Sequence, residues 1–90
     1  MNKVIVNPKA RKQLKKLPKH IVNNFKLWMT GVNLTGIEEM RKIPGYHDKQ
    51  LHGNRTGQRS IRLSKAYRAF YIEREDKITI EVIEVNNHEY

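Results

Sequence analysis

The stretch Leu51–Glu73, LHGNRTGQRSIRLSKAYRAFYIE, places five Lys or Arg side chains in a run that otherwise has the composition of a sheet core. Three of them, Arg59, Arg62 and Arg68, lie among large apolar residues. A guanidinium group can bind two phosphate oxygens through parallel hydrogen bonds, and it keeps its charge at physiological pH. Arginines in this setting are therefore suited to hold a phosphate group against a sheet.

Side chains that could transfer protons lie near the end of the sequence, in EVNNHEY. An unperturbed His has a pKa of about 6.5 and can act as base or acid, whereas Tyr, at about 10, is better suited as an acid. His88 and Tyr90 are therefore candidates for acid–base work. The sequence has no cysteine, and its four histidines lack carboxylates at metal-ligand spacing, so we expect no metal ion and no cofactor.

The charge of the chain favours a polyanionic partner. Its 18 basic and 9 acidic residues give a net charge of +9, and residues 1–37 contain eight Lys or Arg and no acid. Nucleic acid, an acidic protein or an anionic membrane would each fit such a charge. The apolar run Val4 to Val6 is too short for a signal peptide or a membrane span, so we expect a cytoplasmic protein with no membrane partner.

The first half of the sequence predicts a short strand followed by two helices. Lys3 to Val6 is the strand, Asn7 is a helix N-cap, and Pro8 occupies the first helical position. Pro18 interrupts the helical pattern, and apolar residues resume it through a second helix that includes Phe25 and Trp28 in its buried stripe. Thr35 and Glu38 are spaced as a capping box for a further short helix.

Four strands are predicted after Pro44, because β-branched and aromatic residues alternate with short turns. The candidates are Lys49–His52, Gln58–Ser64, Tyr67–Glu73 and Ile78–Val85. Connections this short require antiparallel neighbours. We therefore predict one α+β domain over residues 1–90, in which a short N-terminal strand and a two-helix hairpin pack on one face of an antiparallel β-meander.

The second face of such a sheet must meet water or a ligand, because consecutive strands leave the helices on one side only. Alternation directs Ile61 and Leu63 to one side and Arg62 to the other. The same rule groups Arg68 with Phe70 and Ile72, which as large apolar residues are expected to face the core. A bulge at the start of the strand, or a position beyond the helical cover, would still expose Arg68, and the sequence leaves both alternatives open.

The frame Ile43 to Glu73 resembles the RelE/ParE superfamily of bacterial toxin–antitoxin toxins, and the order of elements agrees along nearly the whole chain. The residues most similar to its HigB branch are Pro44, Gly45, Leu51, Gly53, Asn54, Arg55 and Gly57. The resemblance implies a compact RelE-like α+β toxin that is neutralised by a cognate antitoxin. In the HigB and RelE branches it implies a metal-free endoribonuclease that acts on mRNA in the ribosome.

The resemblance also implies roles for individual residues. Arg68, in the tyrosine–arginine pair that opens the last but one strand, matches a catalytic phosphate-binding arginine, and Arg62 matches the basic residue of the preceding strand. His88 and Tyr90 match the C-terminal catalytic residues of the family, although Glu89 separates them here. RNA-binding residues are predicted on the strands and turns after Pro44, namely Lys49, His52, Arg55 and Arg59. The basic charge of the first helix adds Lys12, Lys15 and Lys16.

Three functions remain open on the sequence alone. The first is the ribosome-dependent endoribonuclease, which His88 and Tyr90 favour. The second is a ParE-like inhibitor of DNA gyrase, which shares the fold but generally lacks the C-terminal catalytic residues. The third is a non-toxic RNA-binding module, which would ordinarily display aromatic side chains beside its arginines. For either toxin, the antitoxin is expected to present an acidic or amphipathic segment to the basic surface.

Overall fold

The computed structural model describes residues 2–87 of the chain. Its strands and helices follow one another in the order β1 (Lys3–Val6), α1 (Pro8–Lys15), α2 (Lys19–Thr35), α3 (Ile37–Arg41), β2 (Lys49–Gln50), β3 (Arg59–Arg62), β4 (Tyr67–Glu73) and β5 (Thr79–Asn87). Single 3₁₀ turns at Pro44–Tyr46 and Gly53–Arg55 flank β2. The predicted elements are all present, and β4 has the predicted bounds.

Local side-chain chemistry sets the start of the first helix, as the sequence predicts. Asn7 is extended, and its Oδ1 accepts a hydrogen bond from the backbone N–H of Ala10 at 2.8 Å. Pro8 takes the first helical position, where its missing N–H is not needed. Pro18 then precedes α2, so the apolar stripe continues on a separate helix.

The predicted capping box for α3 is wrong. Thr35 is the last residue of α2, and its hydroxyl donates to the carbonyl of Gly31 at 2.8 Å. Gly36 separates the helices with φ +89°, a left-handed value that glycine adopts without strain. The N-terminus of α3 is capped from a distance, because the N–H of Ile37 donates to Asn2 Oδ1 at 2.7 Å.

The five strands form a mixed sheet in the order β1-β5-β4-β3-β2. Strands β2 to β5 are antiparallel neighbours, which confirms the predicted meander. The N-terminal strand extends the sheet at the other edge, where β1 runs parallel to β5 with Val4 opposite Ile80. A parallel pairing is possible there because the long intervening chain allows β1 and β5 to run in the same direction.

The hydrophobic core lies between α2 and one face of the sheet. Trp28 is fully buried, with its ring centroid 6.0 Å from that of Phe25 and 5.4 Å from that of Tyr71 on β4. The sheet contributes further core side chains from its three central strands, among them Ile61, Ala69, Ile80, Val82 and Val85. Phe25 and Trp28 are therefore core residues, as the helical stripe predicts. No helix in residues 2–87 is long and apolar enough to cross a membrane.

Candidate functional site

The sheet face turned away from α2, here called the open face, carries two rows of side chains across β3, β4 and β5. Strand register places Ser60, Phe70 and Glu84 in one row and Arg62, Arg68 and Asn86 in the next. Arg62 and Arg68 are direct partners in the antiparallel pair, so their Cβ atoms are about 4.5–5.5 Å apart. The sequence-predicted arginine pair is thus brought together on one surface.

Arg68 is largely buried, with 7% of its surface exposed. Its Nε and Nη2 donate to Ser60 Oγ at 3.2 and 2.8 Å, and Nη2 also donates to the carbonyl of His47 at 3.3 Å. Burial, and then the charge of Arg62, lower the pKa of Arg68 below its usual value. Neutral oxygens therefore orient this guanidinium without neutralising it.

The pairing of Arg62 with Arg68 is electrostatically unfavourable for folding. Like charges directly opposite one another in a sheet destabilise it. Within residues 2–87, neither guanidinium takes part in a salt bridge. Arg62 is exposed and its strand partner Arg68 is largely buried, so an anion bound at Arg62 would neutralise positive charge that no salt bridge within residues 2–87 offsets.

Neither alternative that the sequence leaves open, a bulge or a position beyond the helical cover, is required to explain the orientation of Arg68. Both assumed that Phe70 and Ile72 point into the core, and this assumption is wrong: strict alternation places all three residues on the open face. Phe70 is only 7% exposed because the guanidinium of Arg55 lies 4.1 Å from its ring centroid. The irregularity in β4 lies further along, between Phe70 and Tyr71, in its pairing with β5.

Arg55 is engaged by the protein itself. Besides covering Phe70, it donates to Gln58 Oε1 at 2.8 Å and forms a 3.0 Å ion pair with Glu84. Glu84 also meets Lys9 of α1 at 3.4 Å and accepts from the amide of Asn86. The structure therefore places Arg55 beside the Arg62–Arg68 pair with its charge partly compensated.

The other predicted RNA-binding residues separate into three places. Lys49 and His52 are exposed on the segment that contains β2, at the sheet edge near Arg68. Arg59 is the register partner of Tyr71 and points to the helix-covered side, away from the Arg62–Arg68 pair. Lys12 and Lys15 line a groove of about 440 Å³ along α1 with Arg11, and Lys16 caps the same helix.

A buried charged network lies behind this edge, and sequence reasoning missed it. The side chain of Asp48 is 0% exposed and accepts from Arg59 Nε at 2.7 Å and from Tyr71 Oη at 2.6 Å. Arg41 Nε donates in turn to Tyr71 Oη at 3.2 Å, and its Nη2 meets Glu73 at 3.1 Å. The sequence does contain a signal for this network: Asp48 is the sole acid between Glu39 and Glu73, in a segment rich in basic residues.

Burial raises the pKa of the Tyr71 hydroxyl far above its usual value, and the hydrogen bond to Asp48 adds to this. Tyr71 therefore stays protonated and donates to the Asp48 carboxylate. His88 and Tyr90, the predicted acid–base residues, lie outside the described residues. Strand β5 is described as far as Asn87, with Asn86 opposite Arg68. In residues 2–87, no three His, Cys, Asp or Glu side chains are grouped as metal ligands.

Comparisons with solved structures show the same fold across nearly the whole length of both chains. A chain of the toxin–antitoxin complex RelBE2 from Mycobacterium tuberculosis is 23% identical, with a TM-score of 0.72 over 97% of this chain and 98% of that chain. YafQ from Escherichia coli is 14% identical, with a TM-score of 0.77 over 98% and 94%. A chain of the archaeal RelE–RelB complex from Pyrococcus horikoshii is 20% identical, with a TM-score of 0.73 over 96% and 93%.

The search of curated proteins gives no significant match. The family model described as the ParE toxin of a type II toxin–antitoxin system, parDE, matches residues 4–89, which is almost all of the sequence. The match includes every strand and helix that builds the open face and its supporting network. The chain therefore belongs to the RelE/ParE superfamily, the toxins of type II toxin–antitoxin systems.

Proposed function

We propose that this toxin is a ribosome-dependent endoribonuclease that arrests translation by cutting mRNA. The observation that carries the proposal is the Arg62–Arg68 pair on the open face. Two guanidinium groups at directly paired strand positions, neither of them in a salt bridge within residues 2–87, cost folding stability, and an anionic ligand would offset that cost. A protein that only had to fold would gain by replacing one of them.

The proposed chemistry is metal-free attack of a 2′-hydroxyl on the neighbouring phosphorus. A base removes the 2′-hydroxyl proton, the new P–O bond forms as the bond to the 5′-oxygen breaks, and an acid protonates that oxygen. Arg62 and Arg68 stabilise the extra negative charge of the pentacoordinate phosphorane. His88 and Tyr90 are proposed for the two proton transfers, with Lys49, His52 and Arg55 contacting the flanking RNA.

The basic surface of α1 is proposed to bind ribosomal RNA. Lys12, Lys15 and Lys16 lie on or next to α1 rather than on the strands that carry the Arg62–Arg68 pair, and they are exposed, so they suit contacts with phosphates that are independent of sequence. Such contacts release counterions, and the affinity they supply falls steeply with salt. Removing these lysines is expected to weaken ribosome binding while leaving the cleavage step of bound toxin intact.

The proposed protein partner is a cognate antitoxin in the cytoplasm. Two of the structures described above are toxin–antitoxin complexes. We propose that an acidic or amphipathic segment of the antitoxin binds the lysine-rich surface of α1 and makes the complex too bulky for the ribosomal A site. Hydrogen exchange on the purified complex tests this. Protection of β3 and β4, with α1 unchanged, would instead indicate direct coverage of Arg62 and Arg68.

The test of the endoribonuclease is the order of events after induction in cells. Incorporation of a labelled amino acid should fall within minutes, while incorporation of thymidine continues, and primer extension should find new 5′ ends within translated messages. His88→Ala should remove the cuts and leave the thermal unfolding midpoint close to that of the wild type. Intact mRNA under these conditions would overturn the proposal.

A second function deserves a test because the matching family model is described as ParE. A ParE-like toxin would inhibit DNA gyrase by binding it, without catalysis. Under that alternative, thymidine incorporation falls first, mRNA stays whole, and purified gyrase loses supercoiling activity when the toxin is added. The same induction experiment therefore separates the two functions.

A further inference from the structure

Asp48 occupies a special place in the segment that connects α3 to β2. Its neighbour on one side is His47, whose carbonyl accepts from Arg68 Nη2. Its neighbour on the other side is Lys49, which begins β2 directly opposite Ser60. Ser60 Oγ accepts the other two Arg68 hydrogen bonds. Asp48 thus lies between the two backbone positions that fix the acceptors of Arg68.

The backbone at this point is held in an unfavourable conformation. His47 has φ 46° and ψ 47°, the left-handed region that residues other than glycine seldom adopt. Such a conformation persists where the surrounding contacts determine it, and it is frequent at functional sites. The left-handed turn is part of the path that brings the His47 carbonyl to Arg68.

The next residue in the chain, Asp48, has a buried carboxylate that fixes this segment to the sheet. Asp48 is fixed by Arg59 on β3 and by Tyr71 on β4, at 2.7 and 2.6 Å. The ring of Tyr71 is itself packed against Trp28 in the core. The Asp48 network therefore ties the segment around His47 to the buried core.

We propose that Asp48 is the positioning residue for Arg68: by anchoring the left-handed turn at His47 to the core, it holds the Arg68 guanidinium in the orientation that meets the scissile phosphate. This deepens the proposed function, since its catalytic part rests on cleavage by this toxin. Asp48 itself is sealed from solvent and contacts neither substrate nor product. It acts through the His47 carbonyl and the Ser60–Lys49 strand pairing, and its negative charge also acts on Arg68 directly, opposing the lowering of the Arg68 pKa.

The chain offers a matched control in Asp76. Its carboxylate also pins a turn, accepting from the N–H groups of Ile78 and Thr79 at 2.9 and 2.8 Å and from the Thr79 hydroxyl at 2.8 Å. That turn follows the far end of β4, where Glu73 is already five residues, or about 17 Å along an extended strand, from Arg68. Asp48→Asn and Asp76→Asn make the same chemical change at the two turns.

The first experiment compares cleavage rates of the full-length chain on programmed ribosomes. We expect Asp48→Asn to lower kcat by about 10- to 100-fold, as misplacement of a catalytic group by about 1 Å does, with KM nearly unchanged. Asp76→Asn should cleave at the wild-type rate. In an Arg68→Ala background, Asp48→Asn should have almost no further effect, since a residue that acts through Arg68 is not additive with its loss. If Asp48→Asn lowered kcat in the Arg68→Ala background as much as it does in the wild type, the proposal would be overturned.

The second experiment needs no activity and so separates this inference from the proposed function. In NMR spectra of the full-length chain, the Arg68 Nε–Hε signal should shift, and its hydrogen exchange should accelerate, in Asp48→Asn but not in Asp76→Asn. Tyr71→Phe, which removes one donor and keeps the ring on Trp28, should give a smaller shift in the same direction. An Arg68 signal unchanged in both Asp48→Asn and Tyr71→Phe would refute the positioning role, whether or not the wild type cleaves RNA.

Discussion

The two faces of β4 bury their side chains to similar extents by different means. On the helix-covered face, Ala69 and Tyr71 are buried in the core, where the Tyr71 ring packs on Trp28 and its hydroxyl donates to Asp48. On the open face, Arg68 and Phe70 are equally enclosed, but by polar acceptors and by the guanidinium of Arg55. Packing on the first face stabilises the fold, whereas the second face holds charges that oppose it.

This difference separates what a substitution should do on each face. Apolar burial contributes about 25 cal/mol for each Å² removed from water, so truncation on the helix-covered face costs stability. The like-charged pair on the open face contributes little or nothing to folding, and its removal should be felt in the reaction instead. Neighbouring positions on β4 are therefore expected to differ: substitution on one face lowers stability, and substitution on the other lowers the cleavage rate.

The largest expected effect is on the open face. Arg68→Ala should lower mRNA cleavage by about 10²- to 10³-fold, the usual loss when one group that stabilises the transition-state charge is removed. The thermal unfolding midpoint should change little, because the substitution also relieves repulsion from Arg62. Arg74→Ala is the matched control, since Arg74 pairs with Glu81 beyond the other end of β4. Equal cleavage by Arg68→Ala and Arg74→Ala would contradict the assignment of the reaction to the open face.

The next largest expected effect is a loss of folding stability on the helix-covered face. Ile80 is fully buried on β5, and Ile80→Ala should lower the free energy of unfolding by about 2–5 kcal/mol, from lost transfer energy and the cavity left behind. Urea denaturation with intrinsic tryptophan fluorescence measures this directly. The fraction that remains folded should cleave at the wild-type rate. A loss of cleavage beyond the loss of folded protein would place Ile80 in the site and contradict the separation of the two faces.

The sequence predicted the backbone of this molecule well because its signals are local. The cap at Asn7, the break at Pro18 and the bounds of β4 depend on residues within one or two turns of the chain. The α3 cap was missed for the opposite reason. Its acceptor is Asn2, 35 residues away in the chain, and no spacing rule finds such a contact.

The site was predicted in its residue types but not in its arrangement. Charge and residue type selected Arg59, Arg62 and Arg68 together, and the resemblance to the RelE/ParE superfamily singled out Arg62 and Arg68. The strand register places these two opposite each other, which the sequence did not predict. The sequence does not determine the orientation of Arg68, because hydrophobicity alone assigns Phe70 and Ile72 to the core. The cover of Phe70 by Arg55 and the burial of Asp48 depend on loops folding back onto the sheet, which alternation along a strand does not encode.

A smaller loss of folding stability is expected when Arg55, which covers Phe70 on the open face, is replaced. Arg55→Gln removes both the cation–π contact with Phe70 and the ion pair with Glu84, and it should cost about 1 kcal/mol of stability. Arg55→Lys, which keeps the charge but loses the planar stack, should cost less than that. Chemical denaturation at two salt concentrations measures both variants. Equal stability of wild type and Arg55→Gln would mean that Phe70 is enclosed by the loop backbone alone.

The smallest expected effect is a pH-dependent change in thermal stability from Asp76. This residue lies in the turn that joins β4 to β5, outside both faces of the sheet. Hydrogen bonds from the Thr79 and Ile78 N–H groups, and then from the Thr79 hydroxyl, lower the pKa of Asp76 in the folded chain. A carboxyl group whose folded pKa is depressed stabilises the fold above its unfolded pKa of about 3.9 and loses that stabilisation as the pH falls through the folded value. Wild type should therefore melt slightly above Asp76→Asn at neutral pH, and the two melting curves should converge on acidification. A difference that persists to the most acidic pH at which both chains fold would assign the effect to the shape of the turn rather than to its charge.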